Sequence, residues 1–121
     1  MPVDQRAPVS PEAAADRLVE MSADVRAAVV ADPAGGLIGA SEDLDPARAR
    51  AFAGLAADLF SAADSALGDP AQHVEAQVEG GGVFAVRSAR HTLGCVAGRL
   101  ALPSLILYDL QATLTEMESS P

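Results

Sequence analysis

Apolar positions along the chain follow two periods, and the switches between them mark the elements. In SPEAAADRLVEM, Ala14, Leu18 and Met21 share one helical face. Ser10 is placed to cap that helix, Pro11 suits its first position, and Glu12 favours the positive end of its dipole. The β-branched run VRAAVVA (Val25 to Ala31), the turn residues DPAGG (Asp32 to Gly36) and LIGAS (Leu37 to Ser41) predict a β-hairpin. A long central helix starts after Asp45 as cap, with Pro46 in its first turn, and stops at Gly68 ahead of Pro70. HVEAQVE (His73 to Glu79) alternates strictly, with Val74, Ala76 and Val78 on one side and Glu75, Gln77 and Glu79 on the other. VFAVRS (Val83 to Ser88) and TLGCVAG (Thr92 to Gly98) predict two more strands. Pro103 opens a last helix whose core stripe is Leu107, Leu110, Leu114 and Met117.

The resulting order, α-β-β-α-β-β-β-α, predicts an α+β domain: one five-stranded antiparallel sheet with helices on both faces. Residues 1–9, with two prolines, are expected to be a loose arm, residues 10–118 the domain, and residues 119–121 a frayed tail.

A length of 121 residues suits one such domain with a proper core and no second one. Half the residues are hydrophobic but aromatics are scarce, so that core must be built from Ala, Val, Leu and Ile. Acidic residues outnumber basic ones 17 to 8, and every basic residue is an arginine. A net charge of −9 with no basic run argues against nucleic acid and anionic membrane surfaces as partners. The absence of lysine removes Walker-type phosphate binding and Schiff-base chemistry. Cys95 is the only cysteine, which suits a reducing compartment. The N-terminus lacks the apolar run of a signal peptide, and Leu100 to Leu110 is too short to span a bilayer, so a cytoplasmic location is expected.

Candidate chemistry is thin. Gly80-Gly81-Gly82 is followed by strand-like VFAVRS, not by a helix N-terminus, so a three-residue hairpin turn with positive φ is expected in place of a phosphate cradle. His73 and His91 have no second His or Cys nearby to complete a metal site. Four residues along a strand separate His91 from Cys95 by about 13 Å, too far for a catalytic dyad. Cys95 shares a face with Leu93 and Ala97 and reads as a small buried hydrophobe. SEDLD (Ser41 to Asp45) lacks the glycine and terminal glutamate of a calcium loop and reads as a solvated loop ending in a cap. Arg87, Arg90 and Arg99 are either solvated surface charges or a basic spot offered to a partner. No catalytic, cofactor-binding or metal-binding residue is assigned.

The central helix carries the most information. Its apolar residues cover about half the circumference at 100° per residue, more than one sheet contact needs. Alanine tolerates water, yet Phe52, Leu55, Leu59, Phe60 and Leu67 alone still span a wide arc. A two-fold contact between copies of this helix is therefore expected, with the following strand pairing to its own copy if it is an edge. The expected interface is Phe52, Ala53, Ala56, Leu59, Phe60, Ala63, Leu67, Val74, Glu75, Ala76 and Gln77.

In order, VRAAVVADPAGGLIGAS, the alanine-rich AFAGLAADLFSAADSAL, HVEAQVEGGGVFAVRS and HTLGCVAG resemble the roadblock (dynein light chain 7) family from about Glu12 to Met117. The D-x-x-G hairpin, the small-residue second helix and the Leu-rich last helix match it; the ARHTLGCVAG link and the acidic surface depart from it. The resemblance implies a roadblock/profilin-like sandwich and a homodimer joined through the second helix and third strand into one continuous sheet. It also implies a non-enzymatic, cofactor-free role in a bacterium: binding a Ras-like small GTPase as scaffold or as regulator of its GTP hydrolysis, by differential affinity for two states of that partner. A PAS- or profilin-like domain that senses a small ligand is the alternative for the same element order, and it requires a pocket.

Overall fold

The computed structural model describes residues 9–119. Residues 1–8 of the expected arm and 120–121 of the expected tail lie outside the described residues. The elements are α1 (Pro11–Met21), β1 (Val25–Ala31), β2 (Leu37–Ala40), α2 (Pro46–Leu67), β3 (His73–Val78), β4 (Gly81–Arg87), β5 (Thr92–Gly98) and α3 (Pro103–Glu118), in the expected order.

Local chemistry fixes the helix ends. The Ser10 hydroxyl accepts the Ala13 N–H at 3.1 Å, and the Asp45 carboxylate accepts those of Ala47 and Arg48 at 3.1 and 3.2 Å. These bonds occupy donors that a first helical turn leaves without partners. At the other end of α2, Gly68 takes the left-handed conformation (φ 76°) that stops a helix without steric cost.

The strands form one antiparallel sheet in the order β2-β1-β5-β4-β3. Strand alternation sorts side chains onto its two faces. Ala28 and Val30 of β1, Phe84 and Val86 of β4, and Leu93, Cys95 and Ala97 of β5 meet α1 and α3 in the larger core cluster. Val29, Val83, Ala85 and Val96 face the other way, against Ala49, Phe52, Ala56 and Phe60 of α2. On α3 the buried stripe is Ile106, Leu110, Thr113, Leu114 and Met117, and Leu107 packs partly buried against the same cluster. Val9, assigned to the arm from sequence, also packs on this core.

The triglycine differs from expectation. The turn is Glu79-Gly80, and Gly81 and Gly82 already belong to β4, paired with Val78 and Gln77. Only Gly81 of the three has positive φ, 154°. A Cβ there would stand 2.3 Å from the Ala97 carbonyl oxygen, so the position serves close approach of β4 to β5.

Candidate interaction surface

Five strands about 4.8 Å apart make a sheet roughly 19 Å wide between its outer strands, whereas a helix is about 10 Å across. Two helices cover one face of this sheet; among the described residues α2 alone lies on the other. The second face is therefore only partly covered. Val78 is 70% exposed there, and Val74, Ala76, Val83 and Val96 are half-buried. Along α2, Arg48, Ala51, Leu55, Ala62 and Ala66 fall at helical spacing on one exposed stripe, with half-buried Leu59 beside them. Leu55 is 45% and Leu67 68% exposed. Next to this surface, β3 is an edge strand bonded, among the described residues, only to β4.

These placements divide the interface expected from sequence. Ala53 and Ala56 are fully buried, and Phe52 and Phe60 nearly so; Phe52, Ala56 and Phe60 pack against the protomer's own sheet. Within the protomer they are core residues, because the sheet takes the side of the helix that carries both phenylalanines. Ala63 and Val74 pack partly buried at the margin of the same cluster. Leu59 is half-buried and Leu67 open. On β3, Ala76 follows Val74 on the α2 side, while Glu75 and Gln77 point to the opposite face and bond each other at 3.0 Å. Leu55, left out of the expected interface, is one of the exposed large apolar residues of α2.

Arg87 is not a solvated charge. It occupies the α2-facing parity of β4 after Val83 and Ala85, and its guanidinium lies 4.4 Å from the centre of the Phe60 ring. Its Nε donates to the Ala71 carbonyl at 2.9 Å, and Nη2 to Asp64 Oδ1 at 2.5 Å. Asp64 Oδ1 also accepts the Ala71 N–H at 2.7 Å. Both polar groups of Ala71, in the linker between α2 and β3, are thereby held. The hydrogen bond from Arg87, followed by that from Ala71, keeps the Asp64 carboxyl below the usual carboxylate range. Sequence offered one signal for this clasp: a charge at an inward strand position.

A second polar cluster ties the β4–β5 turn to the end of α3. Glu118 Oε2 accepts from the Ser88 hydroxyl at 2.5 Å and lies 2.6 Å from His91 Nδ1. Burial alone would raise the Glu118 pKa; the bonds from Ser88 and His91 and the charges of His91 and Arg90 outweigh it and lower it. Cys95 is fully buried, and desolvation, then the charge of Asp109, pushes its thiol up to about 12. Among the described residues no three His, Cys, Asp or Glu side chains gather as metal ligands, and no helix is long and apolar enough to cross a membrane.

A five-stranded antiparallel sheet with two helices on one face and one on the other places the chain among small α+β sandwich domains. The sequence profile of the Roadblock/LC7 domain matches residues 13–97, and the chain belongs to that family. Among solved structures, the Roadblock/LC7 domain from Streptomyces avermitilis superposes with a TM-score of 0.83 at 22% identity, covering 91% of this chain and 96% of that one. The gliding protein MglB of Thermus thermophilus follows at 0.77 and 18%, covering 97% and 93%. A Schizosaccharomyces pombe profilin gives 0.68 at 14%, covering 91% and 98%. At these identities the likeness is one of fold. A search of curated protein sequences gives no significant match.

Proposed function

We propose that this chain acts as a homodimer that binds a Ras-like small GTPase and scaffolds or modulates its GTP hydrolysis without contributing a catalytic group. Membership of the Roadblock/LC7 family and the shared fold with MglB support the reading. The observation that carries it is the α2 face. A second copy that lays its own α2 beside the Ala51, Leu55, Leu59 and Ala62 stripe, and its own β3 along the free edge, covers the apolar surface and continues the hydrogen-bond ladder. The family resemblance is the ground for the GTPase as third component. As a non-catalytic regulator, the dimer acts through stronger affinity for one nucleotide state of its partner than for the other.

The test combines sedimentation of the purified chain with single-turnover GTP hydrolysis by a small GTPase from the same cell. A dimer that binds one nucleotide state preferentially, and changes or preserves hydrolysis while bound, supports the proposal. A stable protomer at high concentration, or equal indifference to both nucleotide states, overturns it.

A further inference from the structure

At the end of the sheet away from the Glu79–Gly80 turn, on the α2 side, a cavity of about 440 Å³ opens between the β1–β2 turn, the α2–β3 linker and the β4–β5 turn. That size lies within the range of small-ligand pockets. Pro33 and Pro70 line it together with Gln72, Arg87, Asp64 and Thr92. Three features set its chemistry. Arg87 spends Nε on Ala71 and Nη2 on Asp64, and Nη1 enters neither bond. Asp64 spends Oδ1 on both its bonds, which leaves Oδ2. Thr92, only 5% exposed, lines the cavity, and its hydroxyl takes no part in the Arg87 and Asp64 bonds.

We propose that this cavity binds a small zwitterion of the α-amino-acid type. The ligand carboxylate meets Arg87 Nη1 and the Thr92 hydroxyl, its ammonium group meets Asp64 Oδ2, and its side chain lies between Pro33 and Pro70. Charge selects this class. The Arg87–Asp64 pair is neutral as a unit, so a simple anion is opposed by Asp64 and by a chain of net charge −9, and a simple cation by Arg87. A molecule that carries both signs a few bonds apart satisfies both, and charge-assisted bonds to arginine and carboxylate are the strong ones. Because the same pair holds Ala71, occupancy also steadies the linker from which β3 starts. This site is independent of the GTPase reading.

The test is a thermal-shift screen of the full chain with each standard amino acid at ~10 mM, followed by calorimetry of those that stabilise. At least one is expected to raise the melting midpoint by several degrees. Its N-acetyl and its amide derivatives, each lacking one charge, should bind about tenfold weaker or less. Thr92→Val keeps the shape and removes the hydroxyl, and Asp64→Asn removes the charge; each should weaken binding by a similar factor when compared with its own ligand-free midpoint. Absence of any shift in the wild-type chain overturns the proposal. So does binding that both variants leave unchanged, or N-acetyl and amide derivatives that bind as well as the parent.

Discussion

Arg87 and Asp64, 23 positions apart on β4 and α2, meet at 2.5 Å and between them hold the N–H and the C=O of Ala71. The pair fixes where the chain leaves the central helix and enters the edge strand. The relative placement of α2 and β3, the two elements of the proposed interface, thus depends on two charged side chains.

Arg87→Met keeps most of the aliphatic length and removes the clasp. Loss of the bond to the Ala71 carbonyl and of the stacking on Phe60 should cost about 1–2 kcal/mol, read from urea unfolding. Amide exchange should speed up in the 71–74 segment more than in β5, because the linker loses its anchor and β5 does not.

Removing the exposed stripe and removing the core under α2 should have opposite signatures. Leu55→Glu with Leu59→Glu should leave the protomer folded and raise the dimer dissociation constant at least about tenfold, measured by sedimentation equilibrium. Phe60→Ala should cost about 3–5 kcal/mol of folding stability, since that ring is nearly fully buried. If the glutamates unfold the chain, the stripe is part of the core.

Two of the glycines should separate cleanly. Gly81→Ala forces a Cβ against the Ala97 carbonyl at positive φ and should cost about 1–3 kcal/mol, seen as a lower melting midpoint. Gly80→Ala has open space and no positive φ, and should be close to neutral in the same assay.

Acid should release the α3 anchor. Glu118 and Asp64 both have folded pKa values below their ordinary ones, so the stability they contribute is complete above the unfolded carboxylate pKa. It is lost as pH falls below the ordinary carboxylate range and through the lowered folded values. Glu118→Gln should therefore flatten the acid limb of a stability–pH profile.

The Cys95 thiol, buried and pushed up to about 12, should resist alkylation in the native chain at pH ~8 and react fully in denaturant. Mass spectrometry of iodoacetamide-treated protein distinguishes the two. Fast native labelling would mean that β5 opens far more often than its place in the middle of the sheet allows.

Much of the fold was legible because its signals are local. Ser10 and Asp45 cap, Pro11, Pro46 and Pro103 open helices, and Gly68 closes one; each acts on its own turn whatever the rest of the chain does. Strict alternation in His73 to Val78 showed a strand with one polar side, and its position at an edge agrees with that. The triglycine was harder. A run of three offers no mark of which glycine turns and which pairs, and the register was decided by the contact of Gly81 with β5.

The chain by itself determined the number, kind and order of the elements, and it determined that the central helix has more apolar surface than one sheet contact uses. It did not determine which way that helix rolls. Alanine satisfies both a core and a solvent position, so a helix this rich in alanine offers several faces of similar merit, and only packing against Val83, Ala85 and Val96 selects the one with Phe52 and Phe60. The Arg87–Asp64–Ala71 clasp and the cavity beside it were decided at the same stage, because they join residues that come together only when sheet and helix meet.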